Sequence, residues 1–527
     1  MKRTVLFWAA ALLMGCVAVL PAGAQSKGFK LGQWVEIHNA LLRELNRNYV
    51  DTLPLDRMHR KGIEAMLEEL DPYTEYVPEE DQEDFQLMIG KTYGGIGAII
   101  FKPEKDGNVI INEPYKDSPA YKNGLVCGDE ILAIDGVSTH GLETKECSDR
   151  MKGKPGTVVK FLVKKLRSGD TLEVAVTRER IHLPDVEYAG ILEDGKTGYI
   201  YQSGFTEGVS DAVKAAVKSL RAQGMELLVL DLRNNGGGIM QEAVKIVGFF
   251  VPKGSLVVSA RGRDSLQTRE YRTSSDPIEP DLPIVVMVNA GSASASEIVS
   301  GALQDLDRAT VIGTRTFGKG LVQSMVALPY NGQMKVTTAK YYTPSGRCVQ
   351  NAPDSLTHEF KTAHGRTVRD GGGITPDYII KGHNYSRLTY SLVVNGIVEQ
   401  YTLQYVRNHP TIPAVDDFHF TDYDDFVTFA MDKEFDYRSS ARTYFDQMKK
   451  TLEEDGLAES MSAQLEAMQK ALEMDKETFL RLKKDEIIPF IEEEIAVRYY
   501  WQEAGIRVRL RYDDQLREAL TKAPIQF

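Results

Sequence analysis

The sequence predicts a multidomain α/β protein, and three observations carry that expectation. The chain has 527 residues, too many for a single hydrophobic core. From residue 198 onward, continuous apolar runs alternate with stretches of helical period, as in "ELLVLDL" (Glu226 to Leu232), "LPIVVMV" (Leu282 to Val288) and "ATVIG" (Ala309 to Gly313). On either side the character changes, to a glycine-punctuated β pattern before this region and to charged helices after about residue 385.

The first residues read as an export signal. Lys2 and Arg3 precede an apolar run from Val5 to Leu20, and Ala22-Gly23-Ala24 offers an A-x-A cleavage site before Gln25. A rival reading takes Leu13-Met14-Gly15-Cys16 as a lipoprotein box with Cys16 lipidated, but the residues after Cys16 stay apolar, which favours cleavage after Ala24. The protein is therefore expected to be exported and periplasmic, with a lipid anchor through Cys16 as the alternative. Residues 25–90 are expected to be helical. Trp34, Ile37, Leu41 and Leu45 follow a helical period, as do Ile63, Met66, Leu67 and Leu70, until Asp71-Pro72 breaks it.

Next comes "YGGIGAIIF" (Tyr93 to Phe101), a glycine-rich turn entering an apolar strand. "SPAYKNGLVCGDEILAIDG" (Ser118 to Gly136) gives a short helix, a Gly-Asp strand start and an Asp-Gly hairpin turn, and "TVVKFLVKK" and "TLEVAVTR" alternate as strands. After residue 385, Leu457, Met461, Leu465, Met468 and Leu472 form a helical stripe, read here as core of a C-terminal helical domain.

Bulk properties exclude several functions. A formal net charge of -12 leaves no basic footprint for nucleic acid. Once Cys16 is set aside, Cys127, Cys147 and Cys348 show no CxxC spacing, so neither a zinc site nor a redox pair is expected, and the three read as small buried apolar residues. No HExxH occurs, and neither metal nor cofactor is expected. Gly313-Thr314-Arg315-Thr316-Phe317-Gly318-Lys319-Gly320 nearly spells a phosphate-binding loop, but Gly320 stands where a Ser or Thr would hold magnesium.

Two segments could carry chemistry. In "GSASASEI" (Gly291 to Ile298), a strand runs into a helix, and Ser294-Ala295-Ser296-Glu297 is an S-x-x-E capping box. Ser294 can be a plain N-cap or a nucleophile at a strand-to-helix turn. In the second case the helix N-terminus favours developing negative charge, with Ala295 N–H as an oxyanion donor. No histidine lies between His182 and His358, which leaves lysine as a candidate base. "TFGKGLVQ" (Thr316 to Gln323) sets Lys319 among small and apolar residues, where a neutral amine is favoured, and Gln323 lies four positions on, within reach to orient it. Ordinary roles remain open from the residues alone: a surface charge for Lys319, a turn for Gly236 to Gly238.

The segment from Tyr93 to Arg178 resembles a PDZ domain, which captures a C-terminal carboxylate on the backbone of a glycine-rich loop. Tyr93, Gly94, Gly95, Ile96 and Gly97 match that loop. "GSASASEI" followed 25 residues later by "TFGKGLVQ", together with "DLRNNGGG" (Asp231 to Gly238), resembles the C-terminal processing peptidases, or tail-specific proteases. The resemblance covers roughly residues 30 to 385, and "GGGITPD" (Gly371 to Asp377) is similar to the end of the family core. It implies a crotonase-like α/β peptidase core carrying a PDZ domain, laid out as a signal peptide 1–24, a helical region 25–90, a PDZ domain 91–182, a core 183–385 and a C-terminal helical domain 386–527. It further implies a serine endopeptidase with Ser294 as nucleophile, Lys319 as general base and Gln323 in support, and an oxyanion hole from Ala295 and Gly237, with Gly238 close behind. The implied substrates are proteins with accessible apolar C-termini. The helical domain is expected to mediate oligomerisation or bind an adaptor. The rival reading is a PDZ-containing binding scaffold with a catalytically silent core.

Overall fold

The computed structural model describes residues 27–82, 85, 90–103, 106–264, 268–351, 357–473 and 475–522. The expected signal segment and Cys16 lie outside them. The chain divides into two units, 1–76 and 77–527. Among the described residues, no helix is long and apolar enough to cross a membrane.

The described part of the first unit is two helices, Lys27–Asn48 and Leu55–Glu68. The period read from the sequence is realised, yet Trp34, Ile37, Leu41 and Met66 all stay exposed. The break at Asp71 has a local cause: its Oδ1 accepts from the N–H groups of Tyr73 (2.8 Å) and Thr74 (2.9 Å), an Asx turn that competes with helix.

In the second unit, an antiparallel sheet orders Ala98–Phe101, Val109–Pro114, Glu130–Ile134, Val158–Lys164 and Thr171–Thr177. The helix Thr144–Met151 closes its core, where Cys147 is fully buried among Ile111, Ile131, Val159 and Phe161. Cys127 is also buried, Cys348 is half-buried, and all three thiols are free.

The central sheet runs in the order Val186–Ile191, Thr197–Gln202, Leu227–Asp231, Ile284–Val288, Thr310–Gly313, Tyr378–Ile379, parallel throughout except for the first pair. Its strands are continuous apolar runs because both faces are covered. Side chains alternate between the faces. Leu228, Leu230, Val286, Val288 and Val311 face the helices Val209–Ala222, Met240–Val247 and Ala295–Asp305. Val229, Val285, Met287 and Ile312 face the other way, onto Leu516 and Ala519 of the helix Asp514–Lys522. The helix Asp514–Lys522 thus forms the second layer of the central sheet, although composition alone assigns it to a separate helical region.

A second core, built on Tyr401, Phe426, Leu480, Ile487 and Ile491, holds the helices after residue 386 together. The expected stripe there is only partly core. Leu465 is buried, but Leu457 (49%), Met461 (38%) and Met468 (49%) are exposed. Leu457 and Met461 precede the helix Ser462–Leu472, which packs as a hairpin with Ser440–Glu454. A two-helix hairpin buries only the seam between its helices, so part of the stripe faces out.

Candidate active site

The small residues of Gly291–Ile298 let a helix start where space is tight. All eleven residues of Ala295–Asp305 are buried, and a Cβ added at Gly301 would meet Ile374 and Thr343 at 2.8 and 2.9 Å. The three alternating serines divide their work. Ser292 Oγ donates to the Leu232 carbonyl (2.7 Å) and Ser296 Oγ to the Asn235 carbonyl (2.8 Å), tying this turn to the loop Asp231–Gly238. Ser294 alone of the three is half-exposed, and its backbone is held at φ 56°, ψ −113°, an uncommon conformation for a residue with a side chain.

Both arms of the capping box are present, unequally. Glu297 Oε2 accepts from Ser294 N–H at 2.8 Å, whereas Glu297 N–H makes its 2.9 Å bond to the Ser294 carbonyl and faces the Oγ without a full hydrogen bond. The same Oε2 accepts from Lys319 N–H at 2.9 Å. Its Oε1 accepts from Gly318 N–H at 2.7 Å and from the Thr316 hydroxyl at 2.6 Å. One fully buried carboxylate therefore holds the turn that bears Ser294 against the loop that bears Lys319. Burial pushes this carboxyl up from its usual value, and the four donors pull it back. Tyr341, itself buried, sets its hydroxyl 2.5 Å from the Lys319 carbonyl and 3.1 Å from the Ser294 carbonyl. Lys319 is half-buried. The resemblance of Gly313–Gly320 to a phosphate loop also finds its explanation, since the amides of Gly318 and Lys319 already face Glu297.

Other expected residues take definite places. Gln323 lies on the strand Leu321–Ala327 beyond a bulge between Val322 and Gln323, and its Nε2 donates to Thr337 Oγ1 at 3.2 Å. Ala295 is the first residue of its helix, where the geometry supplies no intrahelical acceptor for its N–H. Gly237 (φ 94°) passes so close that a Cβ there would lie 2.7 Å from Ser294 Cβ and 2.8 Å from Ala295 N. Its N–H donates to Asn235 Oδ1 at 2.9 Å. Gly238 abuts Phe205, with a hypothetical Cβ at 2.4 Å from the Phe205 carbonyl oxygen. His358, the next histidine after the serine turn, faces Asp370 at 3.3 Å with its side chain 72% exposed.

The glycine-rich loop is more ordered than a turn. Thr92–Gly95 pairs as a strand with Glu179–His182, so Tyr93, Gly94 and Gly95 belong to a ladder, while the Ile96 and Gly97 carbonyls accept from Ala120 and Tyr115. A groove of about 570 Å³ opens beside it, lined by Tyr93, Ile96, Ala98 and Ile100 on one wall and Ser148 and Met151 on the other.

Two residues escaped the sequence reading in these roles. Glu297 reads there only as a cap, and Tyr341 carries no local signal at all.

A family model described as Peptidase family S41 matches residues 196–380, one described as PDZ domain matches 110–165, and one described as "Probable PDZ-protease, C-terminal helical domain" matches 388–522. The carboxy-terminal-processing protease of Bartonella bacilliformis is 32% identical over 389 residues, covering 72% of this chain and 83% of that protein. The chain belongs to peptidase family S41, the carboxy-terminal-processing proteases. It is a serine-type peptidase whose S41 core is combined with a PDZ domain and a C-terminal helical domain. A probable CtpA-like serine protease of Staphylococcus aureus is 35% identical over 348 residues, covering 65% of this chain and 64% of that one. Among solved structures, the photosystem II D1 C-terminal processing protease matches at 28% identity and a TM-score of 0.35, covering 64% of this S41 chain and 86% of its own.

Proposed function

We propose that this S41 peptidase is an exported endopeptidase that cleaves proteins near or from their C-terminal tails through a Ser294–Lys319 dyad. The neutral Lys319 amine takes the Ser294 hydroxyl proton, and Oγ attacks the scissile carbonyl. The oxyanion is held by the N–H groups of Ala295 and Gly237, the latter exchanging its bond to Asn235 for the substrate oxygen. Collapse expels the amine, which carries off the proton from Lys319. Water then attacks the acyl-enzyme, with Lys319 again as base, and releases the acid.

The observation that carries this reading is the Glu297 carboxylate, which accepts at 2.8 and 2.9 Å from the backbone N–H groups of Ser294 and Lys319. Gln323 is the supporting side chain for the amine. The groove between Ile96 and Met151 takes the substrate's apolar C-terminus, with the carboxylate on the backbone of Tyr93–Gly97. Export follows from the leader reading, to the periplasm as a soluble protein or, alternatively, anchored through Cys16.

The test is cleavage of an unstructured-tail substrate by wild type, Ser294→Ala and Lys319→Ala. Both variants are expected to fold and to lose turnover. Strong activity in Lys319→Ala would refute the dyad, and equal cleavage of tailed and tail-less substrates would refute PDZ capture.

A further inference from the structure

The loop Asp231–Gly238 carries Gly237, and its fixed points can be followed outward. Asn235 is gripped from the serine turn, its carbonyl accepting from Ala293 N–H (2.9 Å) and Ser296 Oγ (2.8 Å). Asn234 and Asn289 exchange bonds of 2.9 Å each. The other end of the loop hangs on Arg233. Its Nε lies 3.0 and 2.9 Å from the two oxygens of Asp231, which also accepts from the Tyr199 hydroxyl at 2.6 Å. Nη2 donates to Asp231 Oδ2 as well and reaches on to Asp513 Oδ2 at 2.5 Å, while Nη1 goes to Asp513 Oδ1 at 3.3 Å and to Gln515 Oε1 at 2.9 Å.

These partners are built in. Gln515 Nε2 donates to the Ile380 carbonyl at 2.6 Å, and Asp513 Oδ1 accepts from Leu516 N–H at 2.8 Å. Leu516 and Ala519 are buried against Val285, Met287 and Ile312 of the central sheet. The Asp513 side chain is 10% exposed and that of Arg233 16%. A guanidinium chelated so fully by two carboxylates and an amide has no rotational freedom left, and its planar fork passes position and angle from one side to the other.

We propose that Asp513 and Gln515, from the C-terminal helical region, are positioning residues of the active site. Through Arg233 they fix the loop that presents Gly237 to the acyl carbonyl. The helical region thereby completes the peptidase and is more than an attachment for partners. The proposal rests on the serine mechanism above, because its effect is on the oxyanion donor. Asp231 stays paired with Arg233 when Asp513 is removed, so the loop loosens without leaving an unpaired buried cation.

The experiment uses the full chain as Asp513→Ala, Asp513→Asn, Gln515→Leu and, as a control on the exposed neighbour, Asp514→Asn. Three readouts are taken: kcat and KM on a tailed substrate, the rate and final stoichiometry of Ser294 labelling by a fluorophosphonate, and Tm. Asp513→Ala is expected to lower kcat and the labelling rate at least about tenfold, with KM within about twofold, full final labelling and Tm within a few degrees, since a misplaced reacting group costs up to about 100-fold. Asp513→Asn and Gln515→Leu fall between this and wild type, and Asp514→Asn matches wild type. Should Asp513→Ala fail to fold, Asp513→Asn and Gln515→Leu decide. Unchanged kcat per labelled serine, or losses that track only the folded fraction, would overturn the proposal while leaving the serine mechanism intact. A wild type that neither labels nor cleaves would overturn both.

Discussion

Replacing Glu297 by glutamine tests the carboxylate that joins the serine turn to the lysine loop. The carboxylate offers two oxygens to four donors: Ser294 and Lys319 N–H on Oε2, Gly318 N–H and the Thr316 hydroxyl on Oε1. A glutamine keeps one acceptor oxygen and turns an NH2 toward the other pair. The lower-energy orientation sets the oxygen on Ser294 and Lys319. The Thr316 hydroxyl, which already accepts from Ile374 N–H at 2.6 Å, can then accept from the NH2 as well at the loss of its own bond to Glu297, and the Gly318 N–H is stranded. One buried unsatisfied N–H costs about 1–3 kcal/mol, and loss of charge from the two remaining bonds adds roughly 1 kcal/mol. For a unit the size of residues 77–527, at about 2.1 cal/mol/K of unfolding entropy per residue, the total of about 2–4 kcal/mol corresponds to a fall in Tm of roughly 2–4 °C. Glu297→Ala strands all four donors and is expected to cost more than about 4 kcal/mol, with turnover down at least about 100-fold as Ser294 and Lys319 separate. Thermal unfolding followed by circular dichroism, with turnover on a tailed peptide measured well below each Tm, checks both. A Glu297→Gln protein within about 1 kcal/mol of wild type in stability and fully active would show that the carboxylate does not hold the two segments.

Other expectations follow from the same geometry. Gly237→Ala places a methyl 2.7 Å from Ser294 Cβ and 2.8 Å from Ala295 N; turnover should fall at least about 100-fold, the order seen on losing one oxyanion donor, with the fold retained by circular dichroism. Ser148→Trp, on the outer wall of the groove beside Ile96 and Met151, should raise KM for a tailed substrate about tenfold or more and leave kcat and the cleavage of tail-less peptides alone. Glu494 is pushed up to about 7, first by burial and then by Glu399, Glu493 and Glu113 against the opposing pull of Arg498. A carboxyl raised in the folded state contributes stability that is present below its ordinary value near 4.5 and lost as pH climbs through 7. The shift corresponds to about 3 kcal/mol at 1.36 kcal/mol per pH unit, cut to about 1–2 kcal/mol because nearly a third of the Glu494 side chain meets solvent. Tm should therefore decline between pH 4.5 and 7, and Glu494→Gln should flatten that decline.

The legible parts of this molecule are those written locally. Continuous apolar runs named the parallel strands because burial on both faces removes alternation. The density of small residues in Gly291–Ile298 signalled a tight strand-to-helix turn, and the structure uses it as one. Residues whose meaning lies far along the chain were illegible. Glu297 looks like a cap because three of its four donors, Thr316, Gly318 and Lys319, come from a loop some twenty residues on. Tyr341 sits in an ordinary alternating strand, and nothing local marks its hydroxyl as spanning two carbonyls. The four-residue spacing from Lys319 to Gln323 does not by itself set which side Gln323 faces, because Lys319 precedes the strand Leu321–Ala327 and a bulge intervenes. The stripe from Leu457 to Leu472 has a helical period whether or not anything packs on it. The charged composition after residue 385 concealed Leu516 and Ala519, which pack from their helix onto the central sheet.

That last arrangement sets the order in which the central sheet is covered. Ser294, Lys319 and the glycines of the loop are all synthesised well before Asp513, Gln515 and Leu516, yet one face of the strands beneath them stays greasy and uncovered until those later residues arrive. A nascent chain halted short of them lacks the second layer of its central sheet.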